Sequence, residues 1–142
     1  MSPGLDDSGA SRGWAYRASR VLAIEIDEGA VQIARTNVKN NEPDHNITVE
    51  QKTMDQIEVT YFNLILANII SSVLLSLLKE GMLDLLAPGG KLILSGIMDS
   101  EGDDIRRAVR AAGGLVVDGY LERGWVALVV RPANYIYTIF SI

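Results

Sequence analysis

The sequence predicts an α/β fold, with a mostly parallel sheet, helices on both faces and an antiparallel hairpin at the C-terminal end. Short apolar runs alternate with amphipathic stretches along residues 20–112, which is typical of strands joined by crossover helices. Two buried strands joined by a helical crossover lie parallel. A Glu-Arg-Gly turn at residues 122–124 separates the last two apolar runs, which indicates a hairpin.

The N-terminal half contains two expected strands. Asp27 precedes a stretch whose apolar residues fall on one helical face, so it is expected to cap that helix. Asp55 is expected in a loop after the second strand. The elements expected here are an irregular segment (1–19), a strand (20–27), a helix (28–40) and a strand (46–52).

The C-terminal half carries the crossover and the hairpin. The turn Pro88-Gly89-Gly90 is expected to need a positive φ, and Ser100 is a candidate cap for the last helix. The elements expected here are strands (63–68, 91–95, 115–121 and 125–130) and helices (69–78 and 102–112). The domain is expected to span residues 20–131, followed by an apolar, aromatic tail at 132–142.

Composition excludes several classes of function. With 142 residues, of which 48% are apolar, the chain suffices for one core. The net charge of −5 argues against a nucleic-acid surface, which is usually basic. The chain has no cysteine, so disulfides, thiolate nucleophiles and the usual zinc clusters are excluded. No other metal site is expected.

A membrane span is not expected. Residues 62–78 carry no charge, but they include Asn63, Asn68 and three serines, which favours a buried strand followed by a buried helix. The N-terminus shows no signal-peptide pattern. A cytoplasmic location is therefore expected.

Candidate site residues stand where strands end. In an open parallel sheet, ligands bind beyond the carboxyl ends of the strands. Glu25 ends the first strand, where a carboxylate accepts hydrogen bonds from ribose hydroxyls; alternatively, it is an ordinary strand-end acid. Asn68 ends an otherwise apolar strand, where its amide oxygen could accept a hydrogen bond from an amine; it could also cap the next helix. Asp55 could meet an adenine amino group or lie in solvent.

Taken together, RVLAIEIDEGAVQIARTNVKNN, NLILANII, LAPGGKLILSGI and GWVALVV resemble the class I S-adenosylmethionine-dependent methyltransferases. The chain is most similar to the ribosomal-protein methyltransferase (PrmA) family, which modifies protein eleven of the large ribosomal subunit. The resemblance covers about residues 20–131. It implies a Rossmann-like fold, S-adenosylmethionine as cofactor and methyl transfer to an amine of a protein, such as a ribosomal protein.

The resemblance also implies roles for individual residues. Glu25 matches the ribose-binding acid, which is usually Asp in the family, and Asp55 falls in the loop beside the adenine. Asn68 matches the Asn that lies beside both the methyl donor and the incoming amine. Gly9 and Gly13 correspond to the cofactor's glycine loop, but their spacing differs from the family pattern. The strand before that loop is missing, so the chain resembles a catalytic core that begins too late.

Three alternatives stay open at this stage. The chain could be a non-catalytic or truncated methyltransferase-fold protein with weak or no cofactor binding, since its glycine loop is altered. It could be a nucleotide-binding oxidoreductase, although an intact dinucleotide fingerprint is absent. It could also be an interaction module, because the aromatic tail at 132–142 offers a surface for homo-oligomer formation.

Overall fold

The first unit of the chain contains two parallel strands and the helix that connects them. The computed structural model describes residues 20–41, 46–58 and 61–133, and the chain forms two compact units, Met1–Glu58 and Val59–Ile142. In the first unit, Val21 pairs with Ile47 and Glu25 pairs with Gln51 in a parallel register. The elements are β1 (Val21–Glu25), α1 (Glu28–Asn41), β2 (Ile47–Gln51) and a short 3-10 helix (Met54–Gln56).

Asp27 caps α1, as predicted. Its Oδ2 atom accepts a hydrogen bond from the backbone N–H of Ala30 at 2.8 Å, which satisfies one of the donors that a helix N-terminus leaves unpaired. The helix then buries Val31, which is 1% exposed, and β2 buries Val49. These two are the buried apolar side chains among the described residues of this unit.

The second unit is a four-stranded sheet with two helices. Its strand order is β3-β4-β6-β5. The two helices contact each other, and their apolar faces cover the sheet. The elements are β3 (Phe62–Asn68), α2 (Ser71–Lys79), a 3-10 helix (Met82–Leu85), β4 (Leu86–Met98), a 3-10 helix (Asp99–Glu101), α3 (Gly102–Ala111), β5 (Gly114–Glu122) and β6 (Trp125–Pro132).

Strand directions confirm both the parallel crossover and the hairpin. β3 and β4 are parallel, whereas β6 is antiparallel to β4 and to β5. β5 therefore runs in the same direction as β4. The last strand lies inside the sheet, between β4 and β5, rather than at its edge. Val126, Leu128 and Val130 of β6 are all buried, which suits a strand with neighbours on both sides, whereas most side chains of the edge strand β5 are exposed.

A single apolar core holds the second unit together. Side chains of the sheet and of both helices meet there with little or no exposure to solvent. Burial of each such side chain stabilises the fold by about 2 kcal/mol. The most completely buried are Leu74, Leu92, Leu94, Ile97, Ile105, Val109, Leu128 and Val130.

The Pro88-Gly89-Gly90 turn is part of β4. Gly89 has φ of 78°, which confirms the expected positive φ. Gly90 has a different reason to be glycine, because a Cβ atom there would lie 2.8 Å from the carbonyl oxygens of both Ala87 and Phe62. The predicted strand 91–95 thus forms the middle of a longer one.

The predicted cap of the last helix is wrong. Ser100 lies within the 3-10 helix Asp99–Glu101, and α3 begins after it, at Gly102. Glu101 occupies the capping position and makes no side-chain hydrogen bond to the helix. The 3-10 turn moves Ser100 away from the first turn of α3.

Among the residues that the structure describes, none of the helices has the length and apolar character needed to span a membrane.

Candidate functional site

The Glu25 carboxylate is exposed at the carboxyl end of β1. Its Oε1 atom accepts hydrogen bonds from the backbone N–H groups of Ile26 and Asp27, both at 3.1 Å. Its Oε2 atom makes no hydrogen bond with any other described residue. The side chain is therefore held by its own chain, and one oxygen is available for donors such as ribose hydroxyls.

Two hydrogen bonds donated by residues at the end of β2 hold the end of β1 in place. The side chain of Gln51 donates a hydrogen bond to the carbonyl oxygen of Ile26 at 3.1 Å, and the N–H of Lys52 donates to the carbonyl oxygen of Glu25 at 3.2 Å. Ile26 is 66% exposed. The sequence predicted Ile26 inside the strand, but β1 ends at Glu25. An apolar side chain thus lies open to solvent beside the carboxylate.

Asp55 lies in the 3-10 helix after β2, where the sequence predicted a loop. One oxygen of its carboxylate accepts a hydrogen bond from the hydroxyl of Thr53, and the backbone N–H of Thr53 donates to Gln56 at 2.9 Å. Glu25 ends β1 and Asp55 follows β2, and because these strands are parallel, their carboxyl ends lie at the same edge of the sheet. The structure thus brings these two predicted residues to one edge.

An ion pair stands at the end of β2. The Nζ atom of Lys52 lies 2.5 Å from Glu50. The hydrogen bond that Lys52 donates to the Glu50 carboxylate raises the pKa of Lys52, burial lowers this pKa, and the negative charges of Glu50 and Glu58 raise it further. The lysine is therefore held as a cation, and it partly offsets the negative charge at this edge.

Asn68 ends β3 in the second unit and is exposed. Its backbone pairs in register with Ser95 of the parallel strand β4. Its side-chain amide makes no hydrogen bond with the other described residues. The alternative that Asn68 caps the next helix is wrong, because α2 begins at Ser71 with Ile70 in the capping position. The amide is thus open to a ligand at the carboxyl end of the strand.

Gly96 lies directly beside Asn68, and sequence reasoning missed it. Its φ is 75°, and a Cβ atom there would overlap the Oδ1 atom of Asn68. The glycine follows the apolar run LIL and Ser95 and lies inside β4. A glycine within a strand often marks a bulge or a close approach of another group, and this is the sequence signal that could have drawn attention to it.

Some of the predicted site residues lie outside the part of the chain that the structure describes, and the others are divided between the two units. Gly9 and Gly13 lie outside the described residues, as does the tail beyond residue 133. Glu25 and Asp55 belong to the first unit and Asn68 to the second. Within residues 20–41, 46–58 and 61–133, no three His, Cys, Asp or Glu side chains gather as metal ligands would.

Comparison with known proteins shows the family to which the chain belongs. The family model for ribosomal protein L11 methyltransferase (PrmA) matches residues 14–133. A ribosomal protein L11 methyltransferase from Listeria monocytogenes is 35% identical over 116 residues, which is 80% of this chain and 36% of the relative. The chain therefore spans little more than a third of that relative's length.

Solved structures share the fold. A ribosomal protein L11 methylase from Lactobacillus delbrueckii subsp. bulgaricus superposes with a TM-score of 0.78 at 24% identity, over 89% of this chain and 66% of that one. A Streptococcus pneumoniae protein in complex with S-adenosyl-L-methionine superposes with a TM-score of 0.73 at 24% identity, over 92% of this chain and 64% of that one. Because the family model covers most of its length, the chain belongs to the ribosomal protein L11 methyltransferase (PrmA) family.

Proposed function

We propose that this chain acts in S-adenosylmethionine-dependent methyl transfer to an amine of a ribosomal protein. The family membership supports the reaction class, and the name of the Listeria relative supports a ribosomal protein as substrate. The single observation that carries the proposal is the exposed amide of Asn68, which ends β3 without a partner among the described residues.

The first unit fits the cofactor's ribose. The free Oε2 atom of Glu25 can accept hydrogen bonds from two vicinal hydroxyls, and the exposed side chain of Ile26 offers an apolar contact beside them. Asp55 retains one carboxylate oxygen for an amino group. When bound, S-adenosylmethionine supplies a methyl group that its sulfonium already activates.

Asn68 has the positioning task in this proposal. Since the donor is already activated, the rate depends on holding the nucleophile in line with the methyl group. The oxygen of Asn68 accepts a hydrogen bond from the N–H of a neutral amine and so directs the nitrogen lone pair. A lysine ammonium loses its proton before it reacts, and desolvation favours its neutral form.

Variants of two asparagines in β3 test this role. Asn68→Ala is expected to lower kcat about a hundredfold, as loss of alignment does, while the Kd for S-adenosylmethionine changes little. Asn63→Ala is the matched control, since Asn63 is also exposed but stands at the opposite end of β3. The assay follows labelled methyl transfer to ribosomal protein L11 by the full 142-residue chain.

Two outcomes would refute the proposal. Equal losses of kcat and cofactor affinity would make Asn68 a general binding residue rather than an aligning one. No methyl transfer by a folded wild-type chain would favour the alternative of a non-catalytic methyltransferase-fold protein. A cytoplasmic location and self-association through residues 132–142 belong to the same proposal, and fractionation and sedimentation of a tail-deleted chain test them.

A further inference from the structure

We propose that Gly96 is a positioning residue, whose bulged backbone without a side chain seats the amide of Asn68 at the carboxyl end of β3. All residues involved belong to the second unit. The seating itself depends on packing between β3 and β4. Its consequence for turnover rests on the proposed methyl transfer.

A bulge in β4 places Gly96 where it is. Leu94 pairs with Leu128 of β6, but Ile97 pairs with Val126. Two residues of β4, Ser95 and Gly96, therefore lie opposite one residue of β6. Such a bulge bends its strand and redirects nearby side chains, and bulges are frequent next to active sites.

The bulge leaves a space that Asn68 fills. A Cβ atom on Gly96 would come closer than 3.0 Å to the Oδ1 atom of Asn68 and within 3.4 Å of its Cγ atom. The backbone N of Ile69 is the next neighbour, at 4.0 Å. Any side chain at Gly96 would therefore have to displace the Asn68 amide, which makes no hydrogen bond to the described residues that could hold it in place.

Other glycines of this unit separate this effect from backbone strain. Gly89 has φ of 78° and Gly124 has φ of 82°, close to the 75° of Gly96, yet a Cβ atom on either would meet nothing within 4 Å. Positive φ alone is a sufficient reason for glycine at those two positions. Gly96 has the same φ and, in addition, the contact with Asn68.

A double-mutant cycle tests the contact directly. Unfolding is measured for Gly96→Ala and for Gly89→Ala, each with Asn68 intact and with Asn68→Ala. Both glycine variants are expected to be destabilised by strain. Only Gly96→Ala is expected to recover when Asn68 is shortened, by about twofold or more in the folding equilibrium constant, which is the lower end of the coupling between contacting residues because the amide is free to move aside.

A second measurement reports on the amide itself. In nitrogen-15 spectra, the side-chain NH₂ signal of Asn68 is identified by its loss in Asn68→Ala. Gly96→Ala is expected to shift this signal, and Gly89→Ala is expected to leave it unchanged. In the methyl-transfer assay, Gly96→Ala is expected to lower kcat about tenfold without weakening S-adenosylmethionine binding.

Each outcome decides for or against the seating of Asn68. If Gly96→Ala folds only in the Asn68→Ala background, that rescue supports the contact. Additive effects, an unmoved NH₂ signal, or failure to fold in both backgrounds while Gly89→Ala folds would overturn it. Coupling in a chain without methyl transfer would support the seating and refute the proposed function. Methyl transfer without coupling between Gly96 and Asn68 would support the proposed function and refute the seating of Asn68.

Discussion

At the scale of single residues, the predicted site side chains of Glu25, Asp55 and Asn68 differ in how many hydrogen bonds they make within the chain. One oxygen of Glu25 accepts two backbone N–H groups, and one oxygen of Asp55 accepts a neighbouring hydroxyl. The amide of Asn68 has no such partner among the described residues. Loss of Asn68 therefore removes little local structure, which makes it the most informative of the three to change.

Tyr120 gives a prediction about pH. Its hydroxyl donates a hydrogen bond to Asp118 at 2.7 Å, and this bond, followed by the charge of Asp118 and by desolvation, raises the pKa of Tyr120 above 10.0. Asp118→Asn is therefore expected to lower this pKa. The ultraviolet absorbance of tyrosinate measures it, with Tyr120→Phe identifying the signal.

The sign of the associated stability change follows from this direction. Because the folded state has the higher pKa, the contact stabilises the fold below the unfolded pKa and ceases to do so as the pH rises through the folded value. Both groups are exposed, so solvent screens the effect. An unchanged titration in Asp118→Asn would contradict the assigned hydrogen bond.

At the scale of elements, two turns restrict their residues for different physical reasons. The turn in β4 needs Gly90 because two carbonyl oxygens occupy the place of a side chain. The turn between β5 and β6 places Arg123 at φ of 53° and Gly124 at 82°. Two successive positive values of φ match the hairpin turn that favours Asn-Gly.

Gly90→Ala is expected to destabilise the chain by about 2 kcal/mol, because a backbone contact has to open to admit the methyl group. The neighbouring Gly89→Asn serves as the control, since Asn tolerates positive φ and a Cβ atom there meets nothing within 4 Å. Urea unfolding measures both. Equal losses at the two positions would show that the contact with Phe62 is not the cause.

Arg123→Asn is expected to stabilise the chain by about 0.5 kcal/mol, because Asn adopts a positive φ more readily than Arg. Arg123→Ala also removes the charge, yet it keeps the strain and is expected to give no gain. Thermal unfolding of the two variants separates these effects. A larger gain from Arg123→Ala would point to charge rather than to backbone conformation.

At the scale of the whole molecule, the sequence predicts the elements well because their local patterns are strong. The apolar face of α1 with its Asp27 cap, and the turn between β5 and β6, each occur within a few consecutive residues. The insertion of β6 between β4 and β5 was not predicted. A hairpin turn shows only that its two strands are neighbours, and it does not show which of them joins the rest of the sheet.

In the candidate site too, some residues can be found from local sequence patterns, whereas others depend on how the strands pair. Glu25 and Asn68 could be found because polar residues at the ends of apolar strands are visible in the sequence. The sequence signal for Gly96, a glycine after an apolar run, does not reveal its role, since that role depends on a bulge that exists only once β4 pairs with β6. The exposure of Ile26 was missed for a related reason, because β1 ends at Glu25, two residues before the end of the predicted strand.

The most direct test of the account is calorimetric titration of the chain with S-adenosylmethionine. The carboxylate of Glu25 is proposed to take part in holding this cofactor, and the proposed function depends on this contact. We expect a Kd in the micromolar range and a loss of about tenfold or more in Glu25→Ala, as charge-assisted hydrogen bonds are removed. Glu28→Ala, an equal change of charge at an exposed residue of the same unit, is expected to bind normally. No binding by a folded wild-type chain, or equal binding by both variants, would contradict the claim.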